Sequence, residues 1–131
     1  MEIKLLEHVN IQTTQLEMME NWYIEILELE KGYRPPFEVK GAWLYAAGYP
    51  MVHLVEVDEP PERSDNPELE HFAMRAVGLE SLLERLRAKG IPYFTMRVPD
   101  TRTFQVNFSD VEGNHIHVDF PPEEADDLGF S

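Results

Sequence analysis

The chain has 131 residues, of which 43% are hydrophobic, and this size and composition fit one domain with a core of its own. Its 25 acidic and 11 basic residues give a formal net charge of −14, which disfavours nucleic acids and anionic membrane surfaces as partners. The chain contains no cysteine, which excludes disulfides, thiolate nucleophiles and cysteine-type zinc sites. With no secretory signal and no apolar run of membrane-spanning length, we expect a cytoplasmic protein.

The first half of the chain has the pattern of a strand, a helix and three further strands. Apolar residues recur at helical spacing over 15–28, and Thr14 and Glu17 have the spacing of a capping box at the start of that helix. Strand character is found in four segments: 5–13, a short segment ending at Gly32, 42–47 and 51–57. These elements form a first module over about residues 3–57.

A polar, proline-rich linker over residues 58–69 leads to a second module with the same order of elements. Leucines at helical spacing predict a helix that starts at Leu79 and ends at Gly90. Its strands are predicted at 71–77, 92–97, 104–108 and 115–120. The second module covers about residues 70–120, and the acidic tail 121–131 is expected to be frayed or disordered because it has little apolar content.

The two halves can be aligned as an internal repeat. An offset of 63 residues places His8 on His71, and an offset of 64 places His53 on His117. One half alone cannot cover its sheet, so the two modules are expected to pack together. The predicted fold is α+β, with two βαβββ modules that form a curved, cup-shaped mixed β-sheet with the helices outside.

Four of the five histidines fall on the first and last strands of the two modules: His8, His53, His71 and His117. Imidazole is the commonest side-chain ligand of metals and suits Zn, Ni, Fe, Co and Cu, which the pattern does not distinguish. Strand alternation lets the four rings point to one concave face, so we predict that they hold one divalent metal ion. The remaining His115 shares the face of His117. It is a neighbour of the ligands, a substitute ligand or a solvated residue at the strand start, and we favour solvation.

Polar and aromatic side chains share the faces of these histidines. The candidates for substrate binding are Asn10, Gln12, Trp43, Tyr45, Arg75 and Gln105. Arg75 would pair with a carboxylate or phosphate, although a rim position beside an acidic residue explains it equally well. Asp119 is the candidate for a catalytic base, with a solvated acid at the end of the strand as the alternative.

The segment 110–117, Asp-Val-Glu-Gly-Asn-His-Ile-His, resembles the Asp-Pro-Asp-Gly-Asn-x-Ile-Glu ending of the vicinal oxygen chelate superfamily. That superfamily includes glyoxalase I, extradiol dioxygenases, methylmalonyl-CoA epimerase, fosfomycin-resistance enzymes and bleomycin-binding proteins. Segments 33–37, 41–45 and 51–56 resemble an uncharacterised bacterial glyoxalase-like group. The resemblance covers about residues 3–120 and implies metal ligands at the four histidine positions. The family usually has glutamate at the last of these, where this chain has His117.

The resemblance implies a metal-dependent lyase or isomerase that chelates two adjacent oxygens of a small, anionic substrate and stabilises an enolate-like intermediate. Four neutral imidazoles leave the full charge on the ion, and they provide no ligand carboxylate to act as the base, as one does in glyoxalase I. An octahedral ion keeps two open positions, whereas a tetrahedral ion is closed and structural.

Two alternatives stand beside this interpretation. One is a non-haem iron dioxygenase, a class that usually has two histidines and one carboxylate as ligands. The other is a metal-free protein that binds or sequesters a small molecule, as the bleomycin-resistance proteins do. Proteins of this family are commonly homodimers, which implies the same for this chain.

Overall fold

Each half of the chain forms a compact unit in the computed structural model, which describes all residues from 1 to 131. The first unit is Met1–Asp65 and the second is Asn66–Ser131, so the boundary lies inside the predicted linker. Each unit begins with a strand, a helix and three strands, which confirms the predicted α+β class with two βαβββ modules. None of the helices has the length and apolar character needed to cross a membrane.

The first unit has one helix and four strands, namely β1 (Val9–Thr13), α1 (Leu16–Leu27), β2 (Glu30–Gly32), β3 (Gly41–Ala46) and β4 (Tyr49–Glu56). The strands form one sheet in the order β1-β4-β3-β2. Strand β1 pairs with β4 in parallel, and the other neighbours are antiparallel. The last strand of the module is therefore an inner strand. The predicted cap at Thr14 is wrong, because α1 starts after Gln15 and has no side-chain cap.

Helix α1 packs against one face of this sheet. It buries Met19, Tyr23 and Ile26, which recur at helical spacing. The strands bury Ala42, Leu44, Val52 and Leu54 on the same side. These strand residues occupy alternate positions, so the residues between them lie on the opposite face of the sheet. Trp43 and His53 belong to that opposite face.

The second unit repeats the arrangement with β5 (Phe72–Arg75), α2 (Leu79–Ala88), β6 (Phe94–Arg97), β7 (Phe104–Ser109) and β8 (His115–Phe120), and it adds α3 (Pro122–Asp127). Its strand order is β5-β8-β7-β6, again with the last strand inside the sheet and parallel to the first. The helix and strands bury an apolar core: Leu79, Leu82, Leu83, Leu86, Val106, Ile116 and Val118. His117 lies between Ile116 and Val118 and so faces the other side of the sheet.

The acidic tail is ordered, and the expectation that it is frayed or disordered is wrong. Residues Pro122–Asp127 form helix α3. Phe130 packs against Phe104 with ring centroids 4.8 Å apart, and the Arg97 guanidinium donates to the Phe130 carbonyl oxygen at 3.0 Å. The ring contact of Phe130 with Phe104 and the hydrogen bonding of the Arg97 guanidinium therefore anchor the tail, although its apolar content is low.

The tail also caps helix α2. The N-cap residue of α2 is Gly78, which has no side chain to satisfy the first backbone N–H groups. The Glu124 carboxylate accepts from Gly78 N at 2.8 Å and from Leu79 N at 2.7 Å. A carboxylate at a helix N-terminus also interacts favourably with the helix dipole. Helix α2 is thus completed by a residue from the tail.

Candidate functional site

In the first unit, the predicted ligands His8 and His53 are in ring contact. His8 immediately precedes β1, and its ring stacks on that of His53 with centroids 3.8 Å apart and planes 7° apart. Trp43, the register partner of His53 on β3, stacks at 4.1 Å and 15°. Since β1 and β3 flank β4, His53 is enclosed between His8 and Trp43, and only 6% of its surface is exposed.

One nitrogen of each ring contacts an oxygen acceptor. His8 Nδ1 lies 3.1 Å from the Glu7 carboxylate, and His53 Nε2 donates to the Pro50 carbonyl oxygen at 2.9 Å. His8 Nε2 and His53 Nδ1 are left to carry a lone pair. Burial lowers the pKa of His53, and the positive charge of a protonated His8 lowers it further. The neutral form of His53, which is the form that binds metals, is therefore favoured.

The corresponding pair in the second unit is His71 and His117, whose ring centroids lie 4.6 Å apart at 50°. His71 immediately precedes β5, and His117 is a buried residue of β8. His71 Nδ1 donates to the Glu70 carboxylate, and His117 Nδ1 donates to Asp119 Oδ1 at 2.7 Å. In both rings Nε2 has no hydrogen-bond partner and is available to bind a metal ion. In the first unit, one nitrogen of each ring is available in the same way.

The candidate base Asp119 lies on the predicted face of β8, in one row with Arg75 of β5 and Gln105 of β7. Its contact with His117 fixes the tautomer of that ring. Asp119 is therefore positioned to orient His117. Arg75 is exposed and Gln105 is half-buried on the same face.

The candidates of the first unit differ in what they contact. Asn10 is the register partner of His53 on β1, and Asn10 and Gln12 are both exposed. Trp43 contributes to the ring stack described above. The Tyr45 hydroxyl donates to the Tyr33 carbonyl oxygen at 2.5 Å, so this hydroxyl supports the loop after β2.

His115 is held on both sides, so the favoured interpretation of a solvated residue is wrong. Its Nδ1 lies 3.0 Å from Glu70 Oε1, and its Nε2 lies 2.9 Å from Asn107 Oδ1. Hydrogen bonds lower the pKa of the Glu70 carboxyl, and the bond from His71 has a larger effect than the bond from His115. The ligand atoms of Glu70, His71 and His115 lie within 4.8 Å of one another. Sequence reasoning missed Glu70, although its position beside His71 was a signal.

Sequence reasoning also missed Arg34, which is close enough to His53 for its charge to lower the pKa of that imidazole. The guanidinium lies over Phe37, 5.0 Å from the ring centroid, and Phe37 lies 6.3 Å from Trp43. It also packs against Gly41, where an added Cβ would come within 2.7 Å of Arg34 Nη2. Arg34 Nε is buried and has no hydrogen-bond partner. A planar cation with a spare donor is suited to a carboxylate or phosphate.

Solved structures with this arrangement of elements are known. No protein-family model and no curated protein sequence matches the chain significantly. The chain is similar to a glyoxylase/bleomycin resistance protein/dioxygenase domain from Frankia sp. EAN1pec, with 22% identity, 92% of this chain and 93% of that chain covered, and a TM-score of 0.77.

Two further similar structures are those of a protein named for antibiotic resistance and of a protein named as an enzyme. One is the fosfomycin resistance protein FosX from Listeria monocytogenes, with 19% identity, 94% and 98% of the two chains covered, and a TM-score of 0.69. The other is a lactoylglutathione lyase from Agrobacterium tumefaciens, with 16% identity, 92% and 96% covered, and a TM-score of 0.65. Identities this low establish a common fold rather than a common activity. The chain has the fold of the vicinal oxygen chelate superfamily.

Proposed function

We propose that this chain is a divalent-metal-dependent enzyme of the glyoxalase type, with His8, His53, His71 and His117 as the metal ligands. One observation carries the proposal. In both units, the histidine before the first strand and the histidine of the last strand are in ring contact. Each has one nitrogen oriented by an oxygen acceptor and the other without a hydrogen-bond partner. Metal-binding histidines are usually oriented in this way.

The donor set fits a divalent ion of the Zn, Ni, Fe, Co or Cu type, because all four donors are imidazoles. A bound ion of this kind would act as a Lewis acid that polarises two adjacent substrate oxygens and stabilises an enolate-like anion. The chain itself contributes the neutral state of His53, favoured by burial and by His8. It also contributes the carboxylates of Glu70 and Asp119, which orient two of the rings.

We propose a small anionic substrate, and two cationic side chains support this choice in a chain with a net charge of −14. Arg34 has a donor nitrogen without a partner beside the His53 stack. Arg75 is exposed in the row that contains Asp119. Asn10, Gln12, Trp43, Tyr45 and Gln105 complete the proposed contacts to the substrate. Asp119 is the proposed proton-transfer group, because it is a carboxylate in contact with a proposed ligand.

Lyase or isomerase chemistry is the first choice of reaction. The names of two similar structures, a lactoylglutathione lyase and a fosfomycin resistance protein, support an activity on small oxygenated molecules. A dioxygenase is the second candidate, because Glu70, His71 and His115 together have the two-histidine, one-carboxylate composition of non-haem iron sites. We further propose a homodimer located in the cytoplasm. Size-exclusion chromatography with light scattering tests the dimer.

The test is metal content of protein purified without a histidine tag. The wild type, His8→Ala and His117→Ala are loaded with Zn²⁺ or Co²⁺, desalted and analysed by mass spectrometry, with Gln12→Ala as a control from the exposed face of β1. The wild type and the control should retain the ion, and both histidine variants should lose it. Equal metal content in all four proteins would overturn the proposal and favour a metal-free binding protein. Oxygen uptake with catechols under Fe(II) tests the dioxygenase, which is rejected if a broad panel gives no uptake.

A further inference from the structure

Strand β6 presents its two large apolar residues to the open face of the second sheet. Phe94 is 59% exposed and Met96 is 45% exposed, whereas Thr95 and Arg97 on the other face are half-buried. A strand that covers a core on one side normally has its apolar residues on the core side and its polar residues on the open side. The alternation of β6 is therefore the reverse of what packing alone would give.

The register of β6 is fixed by contacts on the core side. Arg97, the last residue of the strand, pairs with Phe104, which is buried in the core. Its guanidinium lies over the Phe104 ring and donates to the Asp126 carboxylate of α3 at 2.6 Å. A shift of one residue would turn every side chain of the strand to the other face and would break these contacts. Phe94 and Met96 are therefore held on the open face.

The corresponding strand of the first unit has a different composition. Strands β2 and β6 both lie at the edge of their sheets, beside β3 and β7 respectively. Strand β2 consists of Glu30, Lys31 and Gly32, and all three are exposed. Charged residues at an edge strand hinder unwanted pairing with other chains. The fold therefore does not require large apolar residues at this place, and Phe94 and Met96 need another explanation.

The two apolar side chains lie on the same face of the sheet as the proposed ligand and the proposed proton-transfer group. Phe94 is in one row with His117 across β7. Met96 is in the next row, with Asp119. Adjacent strands are about 5 Å apart, so β6 lies about 10 Å from β8. Phe94 also approaches His115, with ring centroids 6.5 Å apart. The apolar surface is thus continuous with the polar centre of the sheet.

We propose that Phe94 and Met96 form an apolar subsite, and that the substrate has a hydrocarbon tail attached to its anionic, oxygenated head. The proposal rests on the proposed function for the head group and adds the tail. The row that contains Met96 runs through Asp119 to the exposed Arg75 at the opposite edge of the sheet. A ligand with one anionic end and one apolar end complements this row. The flexible methionine side chain adapts to tails of different shape.

The experiment measures how the affinity of the full chain depends on the length of the tail. The probes are lactate, 2-hydroxyhexanoate and 2-hydroxydecanoate, which share a head with two adjacent oxygens and one negative charge. The wild type, Phe94→Gln and Met96→Gln are titrated with and without prior loading with Zn²⁺, and NMR chemical shifts give the dissociation constants. Ile24→Gln, which changes an exposed apolar residue of α1, is the matched control. Circular dichroism and light scattering establish the folding and the oligomeric state of each variant.

We expect 2-hydroxydecanoate to bind the wild type at least about tenfold more tightly than lactate, because each methylene that leaves water increases the affinity up to about fourfold. This ratio should decrease at least about threefold in Phe94→Gln and in Met96→Gln and stay unchanged in Ile24→Gln. The chain has six methionines, and the Met96 methyl signal is identified by its absence from Met96→Gln. That signal should shift with 2-hydroxydecanoate and not with lactate.

Equal affinity of the wild type for all three probes, or a length dependence that both variants retain, overturns the subsite and leaves the proposed function intact. A change from dimer to monomer in both variants assigns the two residues to a contact between copies of the chain, and this also overturns the subsite. If lactate does not bind but 2-hydroxydecanoate binds through Phe94 and Met96, the subsite is supported and the proposed head group is contradicted. No binding of any probe overturns the subsite.

Discussion

The ring of His8 lies flat on the ring of His53, with centroids 3.8 Å apart and planes 7° apart. A metal ion binds an imidazole in the plane of the ring, along the nitrogen lone pair. Two parallel rings stacked face to face have no such point in common. Binding of one ion by both histidines therefore requires one ring to turn. Trp43 restrains His53 from the other side, whereas the His8 side chain is 37% exposed, so His8 is the ring expected to turn.

This movement predicts a change in the fluorescence of Trp43 when metal is added. The chain has two tryptophans, so the experiment uses Trp22→Phe to leave Trp43 as the only indole. Titration with Zn²⁺, which has no absorption of its own in this range, should shift the Trp43 emission as the His53 stack rearranges. The His8→Ala variant in the same background should lose the shift. A Zn²⁺ response that is unchanged in that variant would contradict the expected movement of His8.

The lowered pKa of His53 predicts a specific loss of stability in acid. Its pKa in the folded chain is below the ordinary value of 6.5, so the unfolded chain takes up the proton first as the pH falls. The stabilisation is complete above that ordinary value and is lost as the pH falls through it toward the lowered pKa. The free energy of unfolding, measured in urea across this window, should decrease more steeply for the wild type than for His53→Gln.

The cause of the shift can be tested on the same protein. NMR titration of the imidazole signals should give a pKa for His53 below its ordinary value. His8→Gln removes one positive charge beside it and should move the pKa of His53 upward, though not fully, because burial is the larger cause. A pKa of His53 at or above the ordinary value in the wild type would contradict the buried, enclosed ring.

Arg34 is expected to bind the anionic group of a ligand. A hydrogen bond to a charged group contributes about 1.5–3 kcal/mol. Arg34→Gln should therefore weaken the binding of an anionic probe such as methylphosphonate at least about tenfold. Arg34→Lys keeps the charge but not the planar fork and should recover only part of the affinity. Chemical-shift titration gives the dissociation constants. If Arg75→Gln has the larger effect, the anion binds in the second unit instead.

The bond from Glu124 to the start of α2 predicts a stability effect far from the proposed ligands. Glu124→Ala leaves two backbone N–H groups without their acceptor, and loss of a helix cap costs about 1 kcal/mol. The neighbouring Glu123→Ala, at an exposed position, is the control and should have little effect. Thermal unfolding of both variants measures the difference. Equal melting temperatures would show that α2 does not depend on the tail.

The repeat and the faces of the strands were predictable, because both depend on spacing alone. Alternation correctly places Asn10 and Trp43 in one row with His53. It also places Arg75 and Gln105 in one row with Asp119. The approach of His8 to His53, and of His71 to His117, follows from the same parallel pairing of first and last strands in each unit.

Contacts made by single side chains were not predictable from spacing. The position of His115 beside Glu70 depends on the register of β5 with β8, across 45 residues of chain. The tail is ordered because Arg97 reaches a carbonyl oxygen 33 residues later, a contact that local composition does not reveal. The prediction of a capping box at Thr14 is wrong for a local reason. Thr13, at the end of β1, already accepts from Gln15 N at 2.9 Å and turns the chain before the helix begins.

The inner position of the last strand in each sheet has a consequence for how the chain folds during synthesis. In both units the first and third strands have no direct pairing and are joined only through the last strand. The first sheet therefore cannot be completed before Glu56 has been synthesised, and the second cannot be completed before Phe120 has been synthesised. Such pairings join distant parts of the chain and form slowly. Since His53 and His117 lie on these closing strands, each reaches its partner histidine only in the step that completes its sheet.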